Sequence, residues 1–228
     1  MKLKTKQRIA ISALIVILIF CNITLPVSTG WNRLWLNTLG YAGLFVCYKI
    51  ANLNLSEIGL SSNNIKSGLK YGLLALSIIT VSFTAAFLLH SQLFKDPRYN
   101  NSLYDTFYTV SILLPLKTVF FEELVFRGVG LALLLKINAN KLLAVSISSI
   151  AFGIWHISSS IGVNGYNITD NFSVTKSLFI IASVLATATA GFVLCGLRFR
   201  SKSLLAPIIA HWSVNAVALL LAAISWHK

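Results

Sequence analysis

Two adjacent glutamates, Glu122 and Glu123, lie inside the apolar stretch Thr118-Val-Phe-Phe-Glu-Glu-Leu-Val-Phe-Arg127. The whole chain has only 6 acidic residues, so this placement is selective. An ionised side chain in the middle of a membrane-spanning helix costs roughly 2.5–3.5 kcal/mol on insertion scales. Such residues usually face a bundle interior or a wet cavity and serve function. The pair is therefore a candidate for proton chemistry.

The spacing gives the two glutamates different roles. Arg127 follows Glu123 by four residues, so the two share one helical face and the guanidinium is predicted to hold that carboxylate. Glu122 projects about 100° around the helix and is predicted to stay available to take a proton from water. The alternative is that these three residues form a buried charge cluster that only holds a helix bundle together.

Two later apolar segments also carry polar groups. His156 ends the run Ala151-Phe-Gly-Ile-Trp-His156, and His211 precedes Asn215 by four residues on one face. A single histidine of this kind often only bonds across helices. Together these groups are nearly the whole strongly polar content of their segments. They predict one catalytic site built by three helices from Glu122, Glu123, Arg127, His156, His211 and Asn215.

The elements that position these residues are apolar helices. The 228 residues are 56% hydrophobic and 11% charged, against about a quarter charged in soluble proteins. Apolar runs of about 20 residues can cross a bilayer as helices. The sequence predicts an all-α, multi-pass transmembrane bundle of about seven to eight helices. It predicts a single transmembrane domain over 1–228 with a catalytic core at about 104–226. The seven segments lie at about 9–27, 34–51, 71–93, 106–135, 142–160, 177–197 and 204–226.

The fourth segment, 106–135, is longer than a simple crossing. About 30 residues at a rise of 1.5 Å make a helix of roughly 45 Å. Proline lacks the N–H of a helical hydrogen bond, so Pro115 is predicted to kink this segment or to separate an interfacial helix from the span.

The distribution of charge predicts orientation and excludes one class of partner. Lysine and arginine are in excess in alternate loops when the N-terminus is cytoplasmic, which agrees with the positive-inside rule. The net charge of +13 is dispersed between apolar segments and forms no basic stripe, so no nucleic-acid partner is expected.

The N-terminal apolar run is longer than a signal-peptide core, so it is predicted to remain as a span. The Lys- and Asn-rich composition favours a bacterial cell membrane.

The ordered motifs EExxxR, FxxxH and HxxxN resemble those of the CPBP intramembrane proteases, which include the type II CAAX prenyl endopeptidases. They read here as Glu122-Glu123-Leu-Val-Phe-Arg127, Phe152-Gly-Ile-Trp-His156 and His211-Trp-Ser-Val-Asn215. The resemblance implies an endopeptidase acting on a membrane-associated or lipidated peptide in the bilayer. It implies a water held between Glu122 and His156, an oxyanion stabilised by His211 and Asn215, and Glu123 with Arg127 in support.

Several alternatives stay open. Two histidines and a glutamate match the ligand set of some zinc hydrolases, but the sequence has no HExxH, so no cofactor is expected, with zinc as the alternative. A non-catalytic bacteriocin immunity or scaffold protein could keep the same fold. A small transporter with a proton relay is a third hypothesis, without the inverted repeats such proteins show. The oligomeric state is left undetermined.

Overall fold

The computed structural model describes residues 3–25, 28, 30–96, 100, 102–137, 140–161 and 174–227. Over these ranges the regular structure is helical and no strand occurs, which confirms the predicted all-α class. The predicted end of the first span at Val27 lies outside the described residues. The α-helices are α1 Leu3–Thr24, α2 Gly30–Ile50, α3 Ile65–Leu89, α4 Leu103–Tyr108, α5 Phe120–Glu123, α6 Leu131–Lys136, α7 Lys141–Trp155, α8 Ile157–Ile161, α9 Val174–Ser201 and α10 Leu205–Trp226.

Helices long and apolar enough to cross a membrane confirm the multi-pass prediction. In the described part of the chain there are five such spans: Lys4–Thr24, Ser62–Leu89, Lys141–Ser160, Ser177–Ser201 and Leu205–Trp226. Large apolar side chains such as Ile78 and Leu185 are exposed on these helices. Exposed apolar surface of this kind suits contact with lipid rather than water.

The predicted segment 106–135 is a helical run over 103–136 in which the helix widens three times. Between α4, α5 and α6 lie π-helical turns at Thr109–Leu113, Pro115–Val119 and Leu124–Gly130. In such turns the hydrogen bond joins residue i to i+5, as between the Phe120 N–H and the Pro115 carbonyl. Pro115 begins the second of these turns, and the helix continues through it. Such turns occur frequently at functional sites.

The chain forms two compact units, each made of two separate stretches of sequence. The first comprises Met1–Ile58 and Leu124–Gly196. Within it α1 packs on α2, and α7 packs on α6 and the π turn Leu124–Gly130. Helices α7 and α9 approach at backbone distance, since a Cβ on Gly153 would lie 2.7 Å from the Val184 carbonyl oxygen.

The second unit comprises Gly59–Glu123 and Leu197–Lys228. Its centre is the pairing of α10 with α3, along which Gly68 faces Ser203 and Gly72 faces Ile209. A Cβ on Gly72 would lie 2.7 Å from the Ile209 side chain, so these small residues allow close packing. Helix α10 also packs on α4, α5 and the π turns between them. The prediction of a single domain over 1–228 stays a prediction.

Candidate active site

In the second unit, His211 of α10 contacts both adjacent glutamates of α5. Its Nδ1 lies 2.8 Å from Oε1 of Glu123, and its Nε2 lies 3.7 Å from Oε2 of Glu122. All three side chains are buried, and Glu123 is completely so. The structure therefore brings three of the six predicted residues into one cluster, with opposite sides of one imidazole facing two carboxylates.

The protons of this cluster follow from its geometry. When Glu123 is ionised it only accepts hydrogen bonds, and Nδ1 of His211 is then the donor in the 2.8 Å contact. The 3.7 Å separation between Nε2 and Glu122 is too long for a hydrogen bond, although it is within range for attraction between charges. A second proton, on Nε2, would place a positive ring between two negative groups.

Two neighbours on α10 complete the description of this unit's site. Asn215 lies one turn after His211 on the same face and is half-buried, as the i, i+4 spacing predicted. Trp212 was not singled out from the sequence. Its Nε1 donates a 2.8 Å hydrogen bond to the carbonyl of Val110, in the π turn Thr109–Leu113. This bond fixes the part of α10 that carries His211 against the widened helix.

In the first unit, Arg127 stacks on the phenylalanine of the second motif. The guanidinium carbon lies 3.9 Å from the ring centroid of Phe152, and Arg127 is fully buried. A desolvated cation over an aromatic face contributes about 2 kcal/mol or more. This contact gives Phe152, which lies four residues before His156, a structural role. Arg127 belongs to the first unit and Glu123 to the second, so the predicted pairing of the two stays a prediction.

His156 stands directly after α7 and folds back on that helix. Its Nδ1 lies 2.8 Å from the Phe152 carbonyl oxygen, and its ring lies edge-on to that of Phe152 with centroids 4.5 Å apart. A carbonyl oxygen only accepts, so Nδ1 carries the proton. In the neutral ring Nε2 is then the acceptor. His156 is half-buried and presents a nitrogen that can receive a proton.

Other residues of this unit support His156 and were missed from the sequence. Phe126 packs edge-on against Phe152 and Trp155, with centroids 5.3 and 6.1 Å apart. The hydroxyl of Ser148 donates to the Phe126 carbonyl at 2.8 Å. The amide of Asn22 donates to the Trp155 carbonyl at 2.8 Å. An amide side chain near the end of a mostly apolar first span was the signal for Asn22, but nothing in the sequence named its partner.

Metal ligation requires several donor side chains around one point. In the described ranges no group of three or more His, Cys, Asp or Glu side chains could hold a metal ion. The cysteines Cys21, Cys47 and Cys195 are free and buried, each in its own helix.

Comparison with known proteins gives one positive result. No curated protein and no solved structure matches the chain. A family model described as type II CAAX prenyl endopeptidase Rce1-like matches residues 104–217, which is half of the chain and contains all three motifs. Residues before 104, including α1, α2 and α3, lie outside this match. The helices, the buried glutamate–histidine cluster and this match together show that the chain belongs to the type II CAAX prenyl endopeptidase Rce1-like family.

Proposed function

We propose that this protein is an intramembrane endopeptidase that hydrolyses a peptide bond in a membrane-associated or lipidated peptide. The observation that carries the proposal is the contact of buried His211 with both Glu122 and Glu123. Two carboxylates and an imidazole held together away from water can move protons and stabilise charge. A purely structural bundle has no need of such a costly buried cluster.

In the proposed reaction, Glu122 and His156 activate the attacking water, as the family resemblance implies; this pairing stays a prediction because the two residues belong to different units. The water gives up one proton as it attacks. The groups that can accept this proton are Nε2 of His156 and the Glu122 carboxylate. The water oxygen bonds to the peptide carbonyl carbon, and the C–N bond then breaks as the stored proton passes to the leaving amine. General acid–base catalysis of this kind contributes about 10²–10⁴-fold to the rate.

The developing oxyanion is assigned to His211 and Asn215. Since Nδ1 of His211 already donates to Glu123, a donor on Nε2 makes the ring positively charged. Glu123 then stabilises this charge and fixes the ring's orientation, as a buried carboxylate does for a catalytic histidine. Loss of one such oxyanion donor costs about 10²–10³-fold in kcat.

The proposed mechanism needs no metal. The glutamate–histidine cluster supplies the carboxylate and imidazole groups for these steps, and the sequence has no HExxH motif. Activity of the purified protein is expected to survive strong chelators. Stoichiometric zinc that copurifies with activity, and restores it after chelation, would replace this mechanism with a zinc-dependent one.

The proposed substrate is held by the bilayer. Glu122 and His211 are buried in helices with apolar, outward-facing surfaces, so a peptide reaches them more readily from the membrane than from water. A prenyl or other lipid chain adds about 0.8 kcal/mol of membrane binding per buried CH₂. Processing of a small bacterial peptide, in a cell membrane with the N-terminus cytoplasmic, fits this proposal.

The test uses the full-length protein in nanodiscs with fluorogenic peptides that differ only in a prenyl group near the C-terminus. Wild type is expected to cleave, and Glu122→Gln and His156→Gln are each expected to lose at least about 100-fold in kcat. The matched control is Ser77→Ala, which removes an exposed helical hydroxyl on α3. A wild-type rate in Glu122→Gln would contradict the proposal. A wild type that binds these peptides without cleaving any would favour the non-catalytic alternative.

A further inference from the structure

Asn22 connects the first helix of the chain to the end of the helix that precedes His156. Its Nδ2 donates a 2.8 Å hydrogen bond to the carbonyl oxygen of Trp155, 133 residues away. Trp155 is the last residue of α7, and His156 follows it directly. Both partners belong to the first unit. Asn22 lies outside residues 104–217, so nothing in the family match assigns it a role.

The carbonyl groups at the end of α7 each have a partner. The Phe152 carbonyl is 2.8 Å from Nδ1 of His156, and the Gly153 and Ile154 carbonyls accept from the His156 backbone N–H. The last one, on Trp155, accepts from Asn22. A helix end leaves four carbonyls without intrahelical partners, and in a bilayer no bulk water replaces them. The Asn22 amide therefore supplies one donor to the last carbonyl of α7.

The hydrogen bond from Asn22 lies at the break between α7 and α8. In a continuous helix the Trp155 carbonyl would accept from the N–H of Ser159, four residues later. The chain instead leaves α7 at Trp155 and starts α8 at Ile157. This turn at His156 is what allows its Nδ1 to reach back to the Phe152 carbonyl. By binding the Trp155 carbonyl, Asn22 stabilises the broken form over the continuous helix.

We propose that Asn22 is a positioning residue for His156, holding the helix break that sets the imidazole's orientation and tautomer. This inference rests on the proposed catalytic role of His156. Asn22 acts through the backbone and touches no reacting atom. Loss of a group that orients a functional histidine typically costs about 10–100-fold in activity. The loss is expected in kcat, with KM changing by less than about threefold, because substrate binding does not depend on the tautomer.

The kinetic experiment compares Asn22→Leu, Asn22→Gln and the control Thr24→Val in the full-length protein. Leucine keeps the size but cannot donate, so kcat is expected to fall about 10–100-fold. Glutamine keeps the amide and is expected to restore kcat to within about fivefold of wild type. The Thr24 hydroxyl donates to the Phe20 carbonyl of its own helix, so Thr24→Val is expected to leave kcat unchanged. An unchanged kcat in Asn22→Leu, or an equal loss in Thr24→Val, would overturn the inference.

Asn22→Asp gives a pH-dependent readout. A protonated aspartic acid can donate its O–H to the Trp155 carbonyl, whereas the ionised form only accepts and repels that oxygen. The ratio of the variant's kcat to that of wild type is therefore expected to be highest at the acid end and to fall as pH rises. A constant ratio across the pH range would show that the donor is irrelevant to catalysis.

A spectroscopic measurement tests the inference without any substrate. The chain has 4 histidines, so ¹⁵N-histidine NMR is simple to assign, and His156→Gln identifies the signal of interest. Wild type is expected to show the Nδ1–H tautomer for His156, and Asn22→Leu a mixture of tautomers.

If wild type cleaves no peptide but the His156 signal still shifts in Asn22→Leu, the proposed function fails while the positioning role stands. An unshifted signal would reject the positioning role even with an active enzyme. If Asn22→Leu does not fold, the glutamine and aspartate variants carry the same test.

Discussion

Oε1 of Glu123 lies 2.8 Å from Nδ1 of His211, which joins two motifs that are 88 residues apart. The i, i+4 spacing predicted a pairing of Glu123 with Arg127, and the family resemblance implied an oxyanion role for His211. The structure gives His211 a second relationship, as the group that contacts both members of the glutamate pair. Each prediction below changes a contact within one of the two units.

Glu123→Gln keeps the shape of the side chain and removes its negative charge. His211 then loses the carboxylate that contacts its Nδ1, so kcat is expected to fall by about 10²-fold or more. Steady-state kinetics with the processed peptide measure this. The matched control is Glu57→Gln, which weakens the 2.9 Å ion pair with Lys136 instead and is expected to retain activity. Equal activity of Glu123→Gln and wild type would contradict the role given to Glu123.

His211→Phe replaces the imidazole by a ring of similar shape without nitrogen atoms. The two buried carboxylates would then face an apolar ring, and leaving buried charge uncompensated costs about 3–5 kcal/mol. Activity is expected to be lost and thermal unfolding in detergent to occur at lower temperature. A double variant, Glu123→Leu with His211→Phe, is expected to recover part of the stability but no activity. Full stability of the single variant would show that the charges were not held by His211.

Arg127 and Phe152 are expected to be energetically coupled through their 3.9 Å cation–π contact. Arg127→Lys replaces a planar guanidinium with a compact ammonium, and Phe152→Leu removes the ring. A double-mutant cycle on unfolding free energy is expected to give a coupling of about 1–2 kcal/mol. Additive effects of the two substitutions would mean that the stacked geometry contributes nothing.

Trp212→Phe removes the N–H that binds the Val110 carbonyl and keeps most of the aromatic surface. The expected loss is about 1 kcal/mol of stability, the typical net contribution of one hydrogen bond. A smaller loss in kcat is expected as well, because Trp212 directly follows His211. Trp35→Phe, at an exposed tryptophan of α2, is the control and is expected to be neutral. The prediction is wrong if both substitutions have the same effect on stability.

The sequence by itself determined the all-α class and the order of the motifs, and five of its seven predicted segments correspond to helices that can span a membrane in the described part of the chain. Apolar runs such as 204–226 predict spans because backbone groups in lipid must be satisfied within the helix. The same reasoning made buried polar residues conspicuous, which identified Glu122, Glu123 and His211 as candidates. Spacing of i and i+4 placed His211 and Asn215 on one face, since both lie in a regular helix.

Only the tertiary structure decided which atoms meet. Helical periodicity shows which residues share a face of one helix. It does not show which carboxylate of α5 contacts which nitrogen of His211 on α10, because that depends on how the two helices pack. The π turns of 103–136 add a further reason, since a count of 3.6 residues per turn does not hold through them. The hydrogen bond from Asn22 to Trp155 joins residues that are 133 positions apart. The acceptor lies at a helix break, and the sequence around Asn22 gives no information about that break.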